Sequence, residues 1–315
     1  MPTATRPKTN RKATSKSDEL NIRAGGHEVH VSNPQKVLYP EAGFTKGEVV
    51  EYYSEVAPYI LPHLKGRPLT LKRYPNGVDH PFFYEKMCPS HRPEWVATAR
   101  MTTTSRQIDF CVIEDQASLI WVANLASLEL HTLLSRAPKL EKPTMMVFDH
   151  DPGEGADMLD CIRVAKRFRE MLRQLGLESF AKTSGGKGLH LYVPLNTNVT
   201  FDDTKEFSRA MAQLLEREDP RRVTTNMRKD LRKGKVFVDW SQNDRHKTTA
   251  CAYTLRARSR PTVSTPVEWA ELDRALKNED ASGLVFETAD VLKRVKKKGD
   301  LFEPVLKLKQ KLPHV

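Results

Sequence analysis

Two aspartates one residue apart, Asp149 and Asp151, close the apolar run Met145-Met146-Val147-Phe148 just before Pro152-Gly153. The run reads as a buried strand ending at a turn. Strand side chains alternate, so both carboxylates project on one face while His150 points to the other. Adjacent carboxylates repel unless a cation or a shared proton neutralises them, and an all-oxygen ligand set suits a hard ion such as Mg²⁺ or Mn²⁺. A solvated acidic turn has the same spacing, so the neighbours decide. A third carboxylate, Asp239, ends the strand-like Lys235-Val236-Phe237-Val238-Asp239-Trp240 and could complete a metal site with the pair.

Further along, Ser184-Gly185-Gly186-Lys187-Gly188-Leu189-His190 places three glycines around a lysine. Backbone amides in such a loop can approach an anion closely, and Lys187 adds charge. It is no Walker A loop, because Gly188 replaces the Ser/Thr and a strand follows where a helix is required. A plain Gly-rich hairpin is the alternative; Lys187 and His190 favour phosphate. Arg256 and Arg258 fall on one face of a strand within Tyr253–Pro261, which suits a triphosphate or a DNA backbone. Phe82-Phe83-Tyr84 lies beside Lys72, Arg73 and Lys86, and at least one of these rings should face outward and could stack on a base. Core packing of all three remains the alternative. Lys46 follows Thr45, with Glu48 placed for a capping box, so it sits at a helix N-terminus where free N–H groups attract anions. From spacing alone a merely solvated surface lysine is the favoured reading.

The elements that carry these residues are readable in part. Glu28–Ser32 alternates as a strand, and Val49, Val50, Tyr53, Val56 and Ala57 recur at helical spacing. The apolar stretch from Ser118 to Leu134 reads as one buried helix, with Glu129 and His131 as polar interruptions and a structural role for the histidine. Met158 to Leu175 is an amphipathic helix with Gly176 as its stop, and Thr204 to Leu215 is another. Arg221 to Lys247 carries nine Lys/Arg against three Asp, and the end of the chain reads as a short basic helix with a closing segment. Residues 1–20 form a basic tail with little to bury, expected to be disordered; 21–315 would be one catalytic domain.

Composition narrows the partners. A formal charge of +11 over 315 residues implies a polyanion, most simply nucleic acid, although generic basicity is the alternative. The four cysteines, Cys88, Cys111, Cys161 and Cys251, form no Cys-x-x-Cys pair, so neither zinc nor a disulfide framework is expected and a reducing cytoplasm fits. No apolar run approaches the roughly 18 residues of a membrane span, and no secretory leader is expected. Strand-end carboxylates, a Gly-Lys loop and paired arginines together are the parts of a two-metal nucleotidyl transferase. A phosphodiester hydrolase could use the same carboxylates but has less need of a triphosphate cradle.

At this point the chain resembles the polymerase domain of bacterial DNA ligase D, a branch of the archaeo-eukaryotic primase superfamily that acts in end joining with Ku. The resemblance runs from about Val29 to Lys309. It rests on Asn33-Pro34 through Lys36-Val37-Leu38-Tyr39-Pro40, Lys72-Arg73-Tyr74-Pro75-Asn76-Gly77 and Phe148-Asp149-His150-Asp151-Pro152-Gly153-Glu154-Gly155. It continues in Thr183-Ser184-Gly185-Gly186-Lys187-Gly188-Leu189-His190, Gly234 through Asn243, and Leu255-Arg256-Ala257-Arg258. It implies an α+β primase-polymerase fold of mixed and antiparallel sheets flanked by helices. It also implies Asp149, Asp151 and Asp239 as ligands of two Mn²⁺ or Mg²⁺ ions, with an NTP or dNTP as substrate. Ser184, Lys187, His190, Arg232, Gln242, Arg256 and Arg258 would contact the nucleotide, and His131 its sugar, with a preference for ribonucleotides. Lys36 and Lys46 would hold the 5′-phosphate across a DNA gap, Lys72 and Arg73 would meet DNA, and Phe83 and Tyr84 would stack on the templating base. His150 stands where the family commonly has an apolar residue. The adenylation motif of an ATP-dependent ligase is absent, so the chain would be either a stand-alone polymerase or one domain cut from a larger protein; the resemblance implies Ku and a DNA ligase as partners. A de novo primase, or a DNA-end-binding module with incidental chemistry, are the other readings. Absence of a zinc-type cysteine cluster weighs against the first and the carboxylate triad against the second.

Overall fold

The computed structural model describes residues 19–102 and 106–313. The basic tail falls almost wholly outside them; Glu19 and Leu20 already belong to the strand Glu19–Ala24, antiparallel to His27–Ser32. Two larger sheets organise the rest. The first has six strands in the order Val223–Thr224, Val236–Asp239, Met145–Pro152, Leu189–Pro194, Phe180–Thr183, Pro266–Val267. All its pairings are antiparallel except that of Val223–Thr224 with Val236–Asp239, so it is mixed. The second is antiparallel, in the order Thr249–Ala250, Ser127–Thr132, Leu69–Arg73, Phe83–Glu85.

Period-two alternation explains why the six-stranded sheet is apolar on one face and reactive on the other. Met146 and Phe148 pack with Leu189, Leu191, Val236 and Val238 against the helices Met158–Gln174 and Phe201–Glu218. His150 shares that buried side, edge-on to Phe168. The intervening residues Asp149, Asp151, His190 and Asp239 therefore face the other way. Burying Phe148 and Phe168 contributes about 2–3 kcal/mol each, which pins the register; a one-residue slip would turn every carboxylate into the core. Capping boxes at Thr45–Glu48, Asp157–Asp160 and Thr200–Asp203 fix the helix starts, and such a cap stabilises by about 1 kcal/mol. Gly176, at φ 73°, follows the end of Met158–Gln174 as expected.

Two expectations fail here. The stretch from Ser118 to Leu134 is not one helix: Gln116–Asn124 is helical, Ala126 takes φ 55°, and Ser127–Thr132 is a strand paired with Leu69–Arg73. An unbroken apolar run does not distinguish helix from buried strand by periodicity. The period-two pattern Leu128-Glu129-Leu130-His131 was the signal available, and it puts Glu129 and His131 on one face. Second, Cys88 and Cys111 form a disulfide, 23 residues apart. The hairpin Thr98–Thr102 with Gln107–Cys111 folds back so that Cys88 N–H donates to Asp109 O at 2.7 Å, a proximity that spacing alone does not reveal. Cys161 and Cys251 are free and buried. Among the described residues no helix is long and apolar enough to cross a membrane.

Candidate active site

A cavity of about 370 Å³ opens between the two sheets, with Asp149, Asp151 and His190 on one wall, His131, Thr249 and Ala250 on the other. Asp149 is the cross-strand partner of both Asp239 and His190, so the three lie side by side on adjacent strands. Burial, and then the charge of Asp239, push the Asp149 carboxyl up to about 6. Burial and the neighbouring Asp149 do the same to Asp151, also to about 6. Lys182 and Arg256 pull Asp149 back down, but burial and Asp239 outweigh them.

A hard divalent ion fits that deficit. Asp149 Oδ1 is buried without a hydrogen-bond partner; His190 Nε2 lies 3.2 Å away but out of line. An anionic oxygen left without a donor in this way is compatible with a metal ligand. Among the described residues, however, no three metal-ligating side chains are already gathered around one point. The reason lies with Asp239: Oδ1 accepts from Ser241 N and Oγ at 2.9 and 2.6 Å, and Oδ2 from Gln242 Nε2 at 2.9 Å. Asp239 would exchange some of these bonds to join the other two.

The cationic side is assembled by the Phe180–Thr183 and Leu189–Pro194 strands and by Leu255–Ala257. Ser184 lies in the connecting loop, and its Oγ accepts from Gly186 N and Gly188 N, both at 3.1 Å. The loop's expected anion nest is thus engaged by its own hydroxyl, and the charge offered to the cavity comes from Lys187, Arg256 and Arg258. Gly188 is required for another reason: a Cβ there would stand 2.4 Å from His150 O, so only glycine lets the loop lie against the carboxylate strand. Behind it Lys182 is fully buried, donating to Ser264 Oγ at 2.6 Å and paired with His190 Nδ1 at 3.0 Å. Burial, then Arg256, lower Lys182 to about 7, and burial, then Lys182, hold His190 well below its ordinary value.

Sequence reasoning overlooked Glu129. It is 2% exposed and accepts from Lys72 Nζ, Ala257 N and His131 Nε2 at 3.3, 3.1 and 2.9 Å, with Arg256 Nε 3.3 Å away. Its desolvation is outweighed by His131, Arg256 and Lys72, which hold the carboxyl far below the usual range. Thr248 and Thr249 also line the cavity and carried no sequence signal. Gln242 lines it as expected, but Arg232 does not: its guanidinium lies 3.6 Å over the Phe237 ring and donates to Asn226 O and Met227 O. It acts on the site only through its charge, which lowers Asp151 slightly against the dominant burial.

Phe82, Phe83 and Tyr84 are all exposed, so core packing is excluded and more than the minimum single ring faces out. Lys72 Nζ sits 4.3 Å over Phe82, Arg73 5.2 Å over Phe83, and Tyr84 meets His131 edge-on. The rings form a ledge that runs up to the cavity. Lys46 does begin its helix, but its ammonium is buried and donates to Ser32 O at 2.7 Å rather than standing free. Burial, then Lys36 and Arg73, push it down to about 8. Lys36 is exposed and donates to Asn76 Oδ1 at 2.9 Å.

Neighbouring strand-end carboxylates facing arginines and a Gly-Lys loop across a nucleotide-sized cavity define the class: a nucleotidyl transferase of the polymerase kind. The chain belongs to the LigD primase-polymerase family, whose model, described as "LigD, primase-polymerase domain", matches residues 45–302. It is 41% identical over 290 residues to the multifunctional non-homologous end joining DNA repair protein LigD of Mycobacterium tuberculosis, covering 89% of this chain and 37% of that protein. The bifunctional LigD of Bacillus subtilis is 30% identical over 265 residues, covering 84% of this chain and 42% of its own length. This chain thus spans well under half the length of these relatives. Among solved structures, the polymerase domain of Mycobacterium tuberculosis ligase D in complex with DNA superposes with a TM-score of 0.84 at 41% identity, over 90% of this chain and 99% of that one.

Proposed function

We propose that this chain is a metal-dependent, template-directed nucleotidyl transferase that fills gaps and extends ends with a ribonucleotide preference during end joining, alongside Ku and a ligase in the bacterial cytoplasm. The observation that carries this reading is the pair of carboxylates Asp149 and Asp151 lining a cavity together with Lys187, Arg256 and Arg258, with Asp239 in register beside Asp149 on the neighbouring strand. Asp149, Asp151 and Asp239 would hold the ions. Bound Mg²⁺ or Mn²⁺ supplies activation of the attacking 3′-hydroxyl and charge stabilisation for the departing pyrophosphate. Lys187, Arg256 and Arg258 bind the triphosphate and orient it toward the carboxylate strand. The ledge of Phe83 and Tyr84 stacks on the template, with Lys72 and Arg73 adding charge. The test is a labelled primer on gapped DNA with Mn²⁺ or Mg²⁺ and ribo- or deoxynucleotides. Templated addition supports the reading; binding without addition under every metal and nucleotide overturns it.

The sugar reader is His131. A site built to hydrogen-bond a hydroxyl leaves a buried polar group unpaired when that hydroxyl is missing. Matched competition should favour the ribonucleotide, and His131→Ala should shrink the ratio towards one. Equal incorporation by the wild type excludes the preference.

Lys36 and Lys46 recognise the 5′-phosphate at the far side of the gap. A monoester phosphate carries more charge than a diester, so two neighbouring ammoniums can tell an end from continuous DNA. The backbone N–H groups of Lys46 and Gly47 add nothing to this, because they already donate to Lys36 O and Pro34 O. Wild type is expected to bind a phosphorylated gap more tightly than an unphosphorylated one at fixed salt, and Lys36→Ala with Lys46→Ala to erase the difference. With Lys46 lowered to about 8, its charge is present at pH 7 and lost as pH rises through that value, so discrimination should weaken between about pH 7 and 9. A double variant that still discriminates assigns the phosphate to another basic stretch, such as that between Arg221 and Lys235.

A further inference from the structure

Glu129 sits where three readers of the substrate meet. Its Oε2 takes His131 Nε2 at 2.9 Å and its Oε1 takes Lys72 Nζ and Ala257 N at 3.3 and 3.1 Å; Arg256 Nε approaches Oε2 at 3.3 Å. Every one of these neighbours is a donor. An ionised carboxylate only accepts, so the His131 nitrogen that meets it carries the hydrogen. Burial, together with Arg256 and Lys72, opposes a second proton on the imidazole and holds His131 below its ordinary value despite the pull of Glu129. The ring is therefore neutral with Nδ1 bare, and Nδ1 makes no hydrogen bond among the described residues while His131 lines the cavity.

We propose that Glu129 is the positioning residue for sugar choice: it locks His131 as the Nε2–H tautomer, so that Nδ1 is presented to the incoming nucleotide as an acceptor for the 2′-hydroxyl. This rests on the ribonucleotide reading above. The same carboxylate ties His131 to Arg256 and Lys72, so sugar, triphosphate and template contacts are set from one buried point. Glu129→Gln keeps the shape but turns an NH₂ toward donors. Lys72 Nζ and Ala257 N cannot accept, so they keep the amide oxygen and the NH₂ faces His131. Accepting it at Nε2 moves the imidazole hydrogen to Nδ1, and the 2′-hydroxyl must then reorient to accept where it had donated.

Two measurements test this. The first is the tautomer of His131 in ¹⁵N-histidine-labelled wild-type protein, by long-range ¹H–¹⁵N correlation, with the signal assigned by its loss in His131→Asn. The Nε2–H form is expected in the wild type and a shift toward Nδ1–H in Glu129→Gln. An Nδ1–H wild type overturns the proposal whether or not the variant folds. The second is single-nucleotide incorporation into a gapped duplex with GTP and dGTP opposite cytosine. Glu129→Gln should lower the ribo/deoxy ratio of kcat/KM by roughly tenfold, chiefly by raising KM for GTP. An equal fall for both nucleotides marks a merely structural role and overturns the proposal. Equal use of GTP and dGTP by the wild type overturns the ribonucleotide reading itself; Nε2–H in that case leaves Glu129 as the anchor of His131 with no part in sugar choice.

Discussion

Asp149→Ala or Asp239→Ala is expected to abolish primer extension while leaving affinity for gapped DNA within a few-fold of wild type. The two carboxylates face one another across adjacent strands, and Asp149 is pushed up to about 6 by burial and by Asp239. A divalent cation would relieve their mutual repulsion, so on the proposed reading each variant would lose a ligand for that ion and with it the activity that depends on it. On the proposed reading DNA is held by other groups, the Phe83–Tyr84 ledge and the lysines near the Thr45 cap, which these substitutions leave in place. Folding should survive, because each aspartate projects from the apolar layer and Asp149→Ala removes a buried unpaired oxygen. Chelation of divalent ions should mimic both substitutions in the wild type. Primer extension rates, gel-shift affinity for a gapped duplex and thermal unfolding separate these outcomes. Robust extension by either variant removes that aspartate from the metal site; equal loss of binding and extension returns it to a structural role.

How much of this site the sequence displays depends on which residue is asked. Asp149, Asp151 and Asp239 were legible because strand alternation is a local rule and Pro152-Gly153 marks the strand's end. The arginines both reach the cavity, but not by the strand alternation expected of them: the strand is Leu255–Ala257, and Arg258 lies in the turn beyond it, where its N–H donates to Arg256 O. His131 was not, except through the family resemblance: its strand hides in an apolar run long enough for a helix, and the turn at Ala126 has neither glycine nor proline to announce it. Glu129 was invisible for a deeper reason. Its role is set by Lys72, Ala257 and Arg256, none of them near it in sequence, and only pairing of Ser127–Thr132 with Leu69–Arg73 and contact with Leu255–Ala257 bring them together. Lys46 and Ser184 show the opposite limit. Each sits where the local pattern put it, at a helix start and in the Gly-Lys loop, yet the side chain of one and the hydroxyl of the other already serve neighbouring backbone, Ser32 O and the amides of Gly186 and Gly188. The first N–H groups of the helix likewise donate to Lys36 O and Pro34 O. Local geometry predicts where a group sits better than what it is bonded to.

Loss of the triphosphate cradle should weaken nucleotide binding more than any change outside the carboxylates. Lys187 and Arg258 are exposed at the cavity mouth, whereas Arg256 is half-buried and also donates to Ser184 O. A charge-assisted contact typically contributes about 1.5–3 kcal/mol, so single alanine substitutions should reduce nucleotide affinity by roughly 10- to 150-fold. Solvent screening puts Lys187→Ala and Arg258→Ala toward the lower end of that range. Arg256→Ala should exceed both, but part of its effect comes from leaving Glu129 without one of its cations and Ser184 O without its donor. The two mouth residues are therefore the cleaner probes, and Arg258→Lys should recover only part of the loss because a point charge cannot reproduce a planar fork. The measurements are KM for the incoming nucleotide at saturating gapped DNA, and Kd for the DNA without nucleotide. A higher KM with nearly unchanged DNA affinity is the expected pattern. If DNA affinity falls while KM holds, these cations track the DNA backbone instead, and the triphosphate must be held by other groups on the cavity wall, of which buried Lys182 and His190 stand nearest the carboxylates.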